Sequence, residues 1–334
     1  MPVRLIALIL CFLLLFSVGV YGSQPEEHTV DIKWVDFTIP SSAMSKAMDL
    51  DLESYGESIH LDWISILAIL GTRYGGDWSH YKAKEMDKVV QRLREGEPPQ
   101  EILSGYQNYD YYYTAYNAVL GNFLGIHQRE VPNRENPGEV LLREQYGLKV
   151  YSPIAENYGF SHFKDFGTSR SYGYRRQHFG NDLCGTVGTP IVAVEGGVIE
   201  ELGWNQYGGW RVGIRSFDRL RYYYYAHLRK DHPWPEHLEK GMPVQGGDVI
   251  GYLGMTGYST KENVNGMKIP HLHFGMQLVF DESKKDAPTQ LWIDVYEIVE
   301  LLNRNRATVV RNEGNKDYAR KYRLFDMHLP YCDD

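Results

Sequence analysis

From Val150 to Phe280 the chain is punctuated by glycine. Short apolar runs alternate with glycine turns in GTPIVAVEGGVIEELG, RVGIRSF and GGDVIGYLGMTG. Runs of about five residues are too short for stable helices and match the usual length of strands joined by tight turns. The pattern predicts an antiparallel β-domain. Its flanks follow another period. Met86, Val89, Val90 and Leu93 recur at helical spacing with Lys and Arg between them, and Gly96-Glu97-Pro98-Pro99 stops that helix. Apolar segments from Ile64 to Leu70 and from Tyr109 to Leu124 add helices. After the β-domain, LWIDVYEIVELLN puts Trp292, Val295, Tyr296, Val299 and Leu302 on one helical stripe. The expected fold class is α+β: an N-terminal helical region, an antiparallel β-sheet domain and a C-terminal helix. The polar stretch VPNRENPG, residues 131–138, carries two prolines and reads as a linker. The expected divisions are therefore 23–138 (helical, role open), 139–290 (β-domain) and 291–334 (helix, then a loosely packed polar tail from Arg304).

Three histidine-bearing clusters lie inside the β-domain: HFGND with His178 and Asp182, YYYYAHL with His227, and PHLHFGM with His271 and His273. Residues two apart on a strand point the same way, so His271 and His273 share a face. Gly180 and the following GTVGTP argue that HFGND is a turn entering a strand, and a turn can bring His178 and Asp182 to one point. A catalytic zinc takes three ligands from His, Asp or Glu and keeps one position open. Two imidazoles and a carboxylate suit it. Two further histidines then remain for moving a proton and stabilising an oxyanion, tasks that suit a group titrating near neutrality. Taken singly, each cluster is ordinary. Together and in this order they are specific.

The stretch from about Gly173 to Gln277 resembles the lysostaphin/LytM-type zinc metallopeptidases, the peptidoglycan endopeptidases. Their pattern is His-x-x-x-Asp, then Tyr-x-His-Leu, then His-x-His, present here as HFGND, YAHL and HLHF with similar turns around them. The resemblance implies a LytM-like peptidase domain with His178, Asp182 and His273 on Zn2+. It implies that His227 and His271 act on water and on the developing oxyanion, in an order left open. The implied activity is hydrolysis of peptide bonds in peptidoglycan stem or cross-bridge peptides, in wall remodelling or lysis. Some members of this family have lost catalysis and serve as scaffolds or activators in division or sporulation complexes. Those usually lack one or more of the five residues, and all five are present here.

Three features depart from the family pattern. YSTKENVNGMKIP, residues 258–270, lengthens the link before His271. RKDHPWPEHLEKG, residues 229–241, is long and aromatic and reads as a second cleft wall. Gly275 stands where a glutamate is common, with little expected consequence because that glutamate is not a ligand. Other features take plainer readings. His232 and His237 read as surface residues, while His28, His60, His80, His127, His162 and His328 have no partner spacing. Tyr222 to Tyr225 alternate, half of them core, with Tyr225 sharing a face with His227. A lipoyl-type carrier module, suggested by GDVIGYLGMTG, lacks a placed lysine. LDWISILAILGTRYGGDW is similar to the helical start of lysozyme-like transglycosylases, but Thr72 and Arg73 stand where such enzymes need an acidic glutamate. A packing, targeting or cleft-covering role follows for that region.

Arg4 precedes an apolar run from Leu5 to Val20, then Gly22 and Ser23. This is the form of a secretory signal, and it also reaches the lower edge of the roughly 17–25 residues that span a bilayer. Residues 1–22 are expected to be a signal peptide or membrane anchor. The rest is then extracytoplasmic, secreted or anchored to the cell membrane facing the wall, and membrane contact is limited to that segment if it is uncleaved. Cys11 lies too deep in the run for lipid attachment. With three cysteines in 334 residues the chain is not disulfide-built; Cys184 reads as a small buried residue, and a Cys184–Cys332 bridge is open. A net charge of −8 argues against nucleic acid as a partner.

Overall fold

The computed structural model describes residues 37–172, 174–287 and 289–326. The apolar N-terminal run, Cys11, His28, His328 and Cys332 lie outside the described residues, and with them the Cys184–Cys332 bridge. No helix among the described residues is long and apolar enough to cross a membrane.

The main helices before the β-domain span Ser41–Ser54, Trp63–Tyr74, Ala83–Arg94 and Tyr109–Leu120. The second begins where the Asp62 carboxylate accepts the backbone N–H groups of Ile64 and Ser65, and it stops at Gly75 in a left-handed conformation. Its run from Ile66 to Thr72 is buried on every side, so it is the central helix of this region. Thr72 is sealed in, its hydroxyl bonded to the Ala68 carbonyl at 2.7 Å. Met86, Val89 and Val90 form the buried stripe of the third helix.

Residues 131–138 are not a linker. They close a hairpin whose strands, Leu124–Pro132 and Val140–Leu148, pair from Leu124↔Leu148 to Pro132↔Val140. Turns and linkers share a composition of Pro, Asn and Gly, and the outward-facing strand Val140–Leu148 lacks the alternation that would have marked it. The tail from Arg304 is not loose either. Leu324–Asp326 adds a third strand to the hairpin, with His127↔Asp326 in register, while Ala307 and Leu324 enter a core with Tyr151, Val192 and Tyr252. Its polar residues work internally: Arg306 donates to the Ala155 carbonyl at 2.7 Å. The expected helix at 291–303 divides into a strand, Leu291–Ile293, and a shorter helix, Tyr296–Leu302.

The main sheet is antiparallel throughout. Its order is Pro243–Val244, Gly197–Asn205, Gly209–Ser216, Arg221–Ala226, His271–Leu278, Asn181–Cys184 and Ser161–His162, with Leu291–Ile293 beside the end of His271–Leu278. A buried polar chain fastens it to the helices. Glu195 accepts Arg221 through both oxygens, at 2.8 and 3.0 Å, and also the Tyr223 hydroxyl and the Asn122 amide. Arg221 donates onward to the Ala118 carbonyl at 2.8 Å, and Lys149 joins Asn122 to Asp326.

Histidines without partner spacing in the sequence found distant partners. His162 stacks on Tyr296 with ring centres 4.3 Å apart and contacts Glu300. His127 is fully buried, and His232, expected at the surface, is half-buried and reaches the buried Asp317.

Candidate active site

His273 sits mid-strand directly opposite Asp182 on one side and Ala226 on the other. Facing residues on neighbouring strands hold their Cβ atoms about 4.5–5.5 Å apart, which delivers these two side chains to one spot. His178 comes from the turn before Asp182. Gly180 lets that turn close: a Cβ there would lie 2.5 Å from the Phe274 carbonyl oxygen and 2.8 Å from His273 Cε1. His178 Nε2 lies 3.1 Å from Asp182 Oδ1 and 2.7 Å from His273 Nδ1, and His273 Nδ1 lies 3.4 Å from the same oxygen.

These three residues form a group able to hold a metal ion. Nδ1–H of His178 donates to the Asp165 carbonyl at 3.1 Å, which leaves its Nε2 lone pair facing the group. Asp182 Oδ1 is buried with no hydrogen-bond partner. Converging lone pairs repel unless a cation lies among them. A tetrahedron with bonds of about 2.0–2.1 Å sets its donors about 3.3 Å apart, a spacing that the 3.1 and 3.4 Å pairs meet and the 2.7 Å imidazole pair would reach by opening slightly. The residues fit zinc. Burial pushes the Asp182 carboxyl upward, but the neighbouring His178 and His273 rings outweigh it and hold the group well below the usual carboxylate range. Burial lowers His273.

His227 and His271 flank the group. His227 follows the strand Arg221–Ala226 with φ of 61°, a left-handed conformation rare for residues with a side chain. Its N–H donates to the Gly208 carbonyl at 2.7 Å and its Nδ1–H to the Thr256 carbonyl at 2.8 Å. His271 Nδ1–H donates to the Ile269 carbonyl at 2.8 Å. Both rings therefore keep the lone pair on Nε2. Their centres are 4.8 Å apart, and His271 Nε2 lies 3.8 Å from Asp182 Oδ1. Burial, reinforced by His271 and His273, pushes His227 well below its ordinary value, so it is a neutral acceptor at physiological pH.

All five residues open onto one cleft of about 510 Å³. The left-handed backbone at His227 breaks strand parity, and this corrects the tyrosine reading. Tyr225 points into the core, accepting the Val194 N–H and packing on Phe274, while Tyr222 and Tyr224 line the cleft. Residues 229–241 contribute nothing to its lining: Trp234 turns onto Trp210. The loop before His271 does contribute, through Tyr258 and Met267. Among the described residues nothing before Arg170 lines the cleft, so the helical region does not cover it.

Arg170 carries no signal of its own in the sequence; it donates to Asp165 at 2.6 Å and to Asp182 Oδ2 at 3.1 Å and so braces the carboxylate. Trp292, expected on a helix stripe, lines the cleft instead. Gly275 explains Trp292: a Cβ there would lie 2.7 Å from the Phe179 carbonyl oxygen and 2.9 Å from Trp292 Cζ3. The indole fills the space a larger residue would take. Gly275→Glu is expected to displace Trp292 and lower stability by about 1–3 kcal/mol, the usual cost of overpacking. Urea unfolding reads it, and an unchanged midpoint would show that the indole is not seated there.

Comparison with known proteins agrees with this geometry. Residues 176–286 match Peptidase family M23. Over 124 residues, 37% of this chain and 36% of the relative, the chain is 37% identical to L-Ala--D-Glu endopeptidase of Bacillus subtilis (strain 168). Over 98 residues, 29% of this chain and 17% of the relative, it is 38% identical to lysostaphin of Staphylococcus simulans. The chain thus spans about a third or less of the length of these curated relatives. A solved structure named lytM from Ruminococcus gnavus ATCC 29149 superposes over 85% of this chain and 92% of its own, with a TM-score of 0.52 at 21% identity, a likeness of fold.

Proposed function

Because residues 176–286 match Peptidase family M23, we propose that the protein is a zinc-dependent endopeptidase. Its substrate is peptidoglycan, cut within stem or cross-bridge peptides, and it works outside the cytoplasm. The observation that carries this reading is the convergence of His178, Asp182 and His273 on one point, with the Nε2 atoms of His227 and His271 turned into the same cleft. The extracytoplasmic site rests on the basic and apolar start of the sequence, Arg4 and then Leu5 to Val20.

His178, Asp182 and His273 would hold the zinc, which supplies Lewis acidity toward water and a scissile carbonyl. The chain's own residues do the rest. The carbonyls of Thr256 and Ile269 fix the tautomers of His227 and His271. One Nε2 takes a proton, and the other serves the oxyanion or the leaving amine. Arg170 holds the second oxygen of Asp182. Tyr224 meets the His273 ring edge-on, with centres 5.8 Å apart, and walls the site from the sheet side.

The test is digestion of purified sacculi of several wall types, with mass spectrometry of the released fragments. Zinc-loaded protein is expected to free new peptide termini, a chelator to stop this, and added zinc to restore it. Intact sacculi of every type under zinc-loaded protein would refute the enzyme and favour a scaffold.

A further inference from the structure

Four permanent cations line the cleft: Arg170, Arg176, Arg211 and Lys285. Three are matched by carboxylates. Arg170 bonds Asp165 and Asp182, Arg211 pairs with Glu201, and Lys285 pairs with Glu200. Among the described residues no carboxylate lies within ion-pair distance of Arg176. Neutral rings hold it instead. Its Cζ lies 4.9 Å from the ring centre of Tyr207 and 5.1 Å from that of Tyr258, and Nη2–H donates to the Tyr258 hydroxyl at 2.9 Å. Nη1 is buried and has no hydrogen-bond partner. Tyr258 is itself fixed, stacked on Tyr172 at 4.9 Å, and its ring stands 6.1 Å from that of His227.

A guanidinium drawn partly out of water, with donors unused and no counter-charge, is costly until an anion completes it. Its planar fork matches a carboxylate in two parallel hydrogen bonds. The aromatic clamp holds the fork in place before a ligand arrives, so little side-chain freedom is lost on binding. We propose that Arg176 forms a carboxylate-binding subsite one ring away from His227. The peptide taken by the cleft is then an acidic one, with a free carboxylate flanking the cut bond, and an uncharged glycine bridge is a poor substrate. This rests on the peptidase reading of the cleft and narrows it.

Two peptides provide the test: C-terminally amidated N-acetyl-Ala-D-isoGlu-Lys-D-Ala and its D-isoGln counterpart, in which the one free carboxylate becomes an amide. Binding is measured by calorimetry on zinc-loaded full-length His271→Ala protein, and cleavage on the native protein. A charge-assisted bidentate contact predicts at least roughly tenfold tighter binding of the acid. Adding Arg176→Gln is expected to bring the acid-to-amide affinity ratio close to one. Equal affinities before that substitution, an unaltered ratio after it, or no binding of either peptide overturns the subsite. The two readings fail separately. Cleavage of both peptides at equal rates removes the subsite and keeps the peptidase. Carboxylate-dependent binding with no cleavage of either peptide by the native protein does the reverse.

Discussion

Replacing His271 with Ala is expected to lower kcat/KM for peptidoglycan fragments by roughly 10²–10⁴, the range supplied by a positioned acid or base, while zinc stays near one per chain. The two readouts divide because of geometry. The group able to hold a metal comprises His178, Asp182 and His273, and His271 stands outside it with Nε2 3.8 Å from Asp182 Oδ1. Asp182→Ala should instead lose metal and activity together. Zinc content and steady-state rates on one preparation distinguish the cases. Full activity in His271→Ala would remove the role given to this residue, and loss of zinc would make it a ligand.

The second large effect concerns stability. Glu195 and Arg221 are 2% and 1% exposed. Glu195→Ala is expected to destabilise the protein by about 3–5 kcal/mol, the cost of leaving one partner of a buried pair uncompensated. Attraction between the two charges is only part of it. Arg221 keeps Asp218 and the Ala118 carbonyl, but the Tyr223 hydroxyl and the Asn122 amide lose their acceptor in the same step. Denaturant unfolding followed by tryptophan fluorescence measures the change. A loss below about 1 kcal/mol would mean that water enters the cavity and replaces the carboxylate.

The main sheet and the histidine clusters were legible in the sequence because their signals are local. A period of two puts His271 and His273 on one face, and the Gly196-Gly197, Gly208-Gly209 and Gly246-Gly247 pairs mark turns between strands. Other features depend on contacts between distant residues. Nothing near Arg170 in sequence announces that its guanidinium meets Asp182. Arg176 reads as one more basic residue in a polar segment until Tyr207 and Tyr258 close on it. Tyr225 was misjudged because parity counting assumes an unbroken strand, and His227 leaves the strand by a left-handed turn. The hairpin over 124–148 was missed for another reason: its outer strand is largely exposed, so hydrophobic patterning had little to act on.

That hairpin also bears on the order of folding. Its partner strand, Leu324–Asp326, comes from beyond the main sheet, and the link between Glu130 and Arg323 joins residues 193 apart in sequence. Contacts so far apart are entropically expensive to form early, and they become cheap once the intervening chain has condensed. The three-stranded clasp is therefore expected to form late, after the main sheet has condensed. A chain stalled before that point carries an open edge at Leu124–Pro132, which exposes it to aggregation or proteolysis.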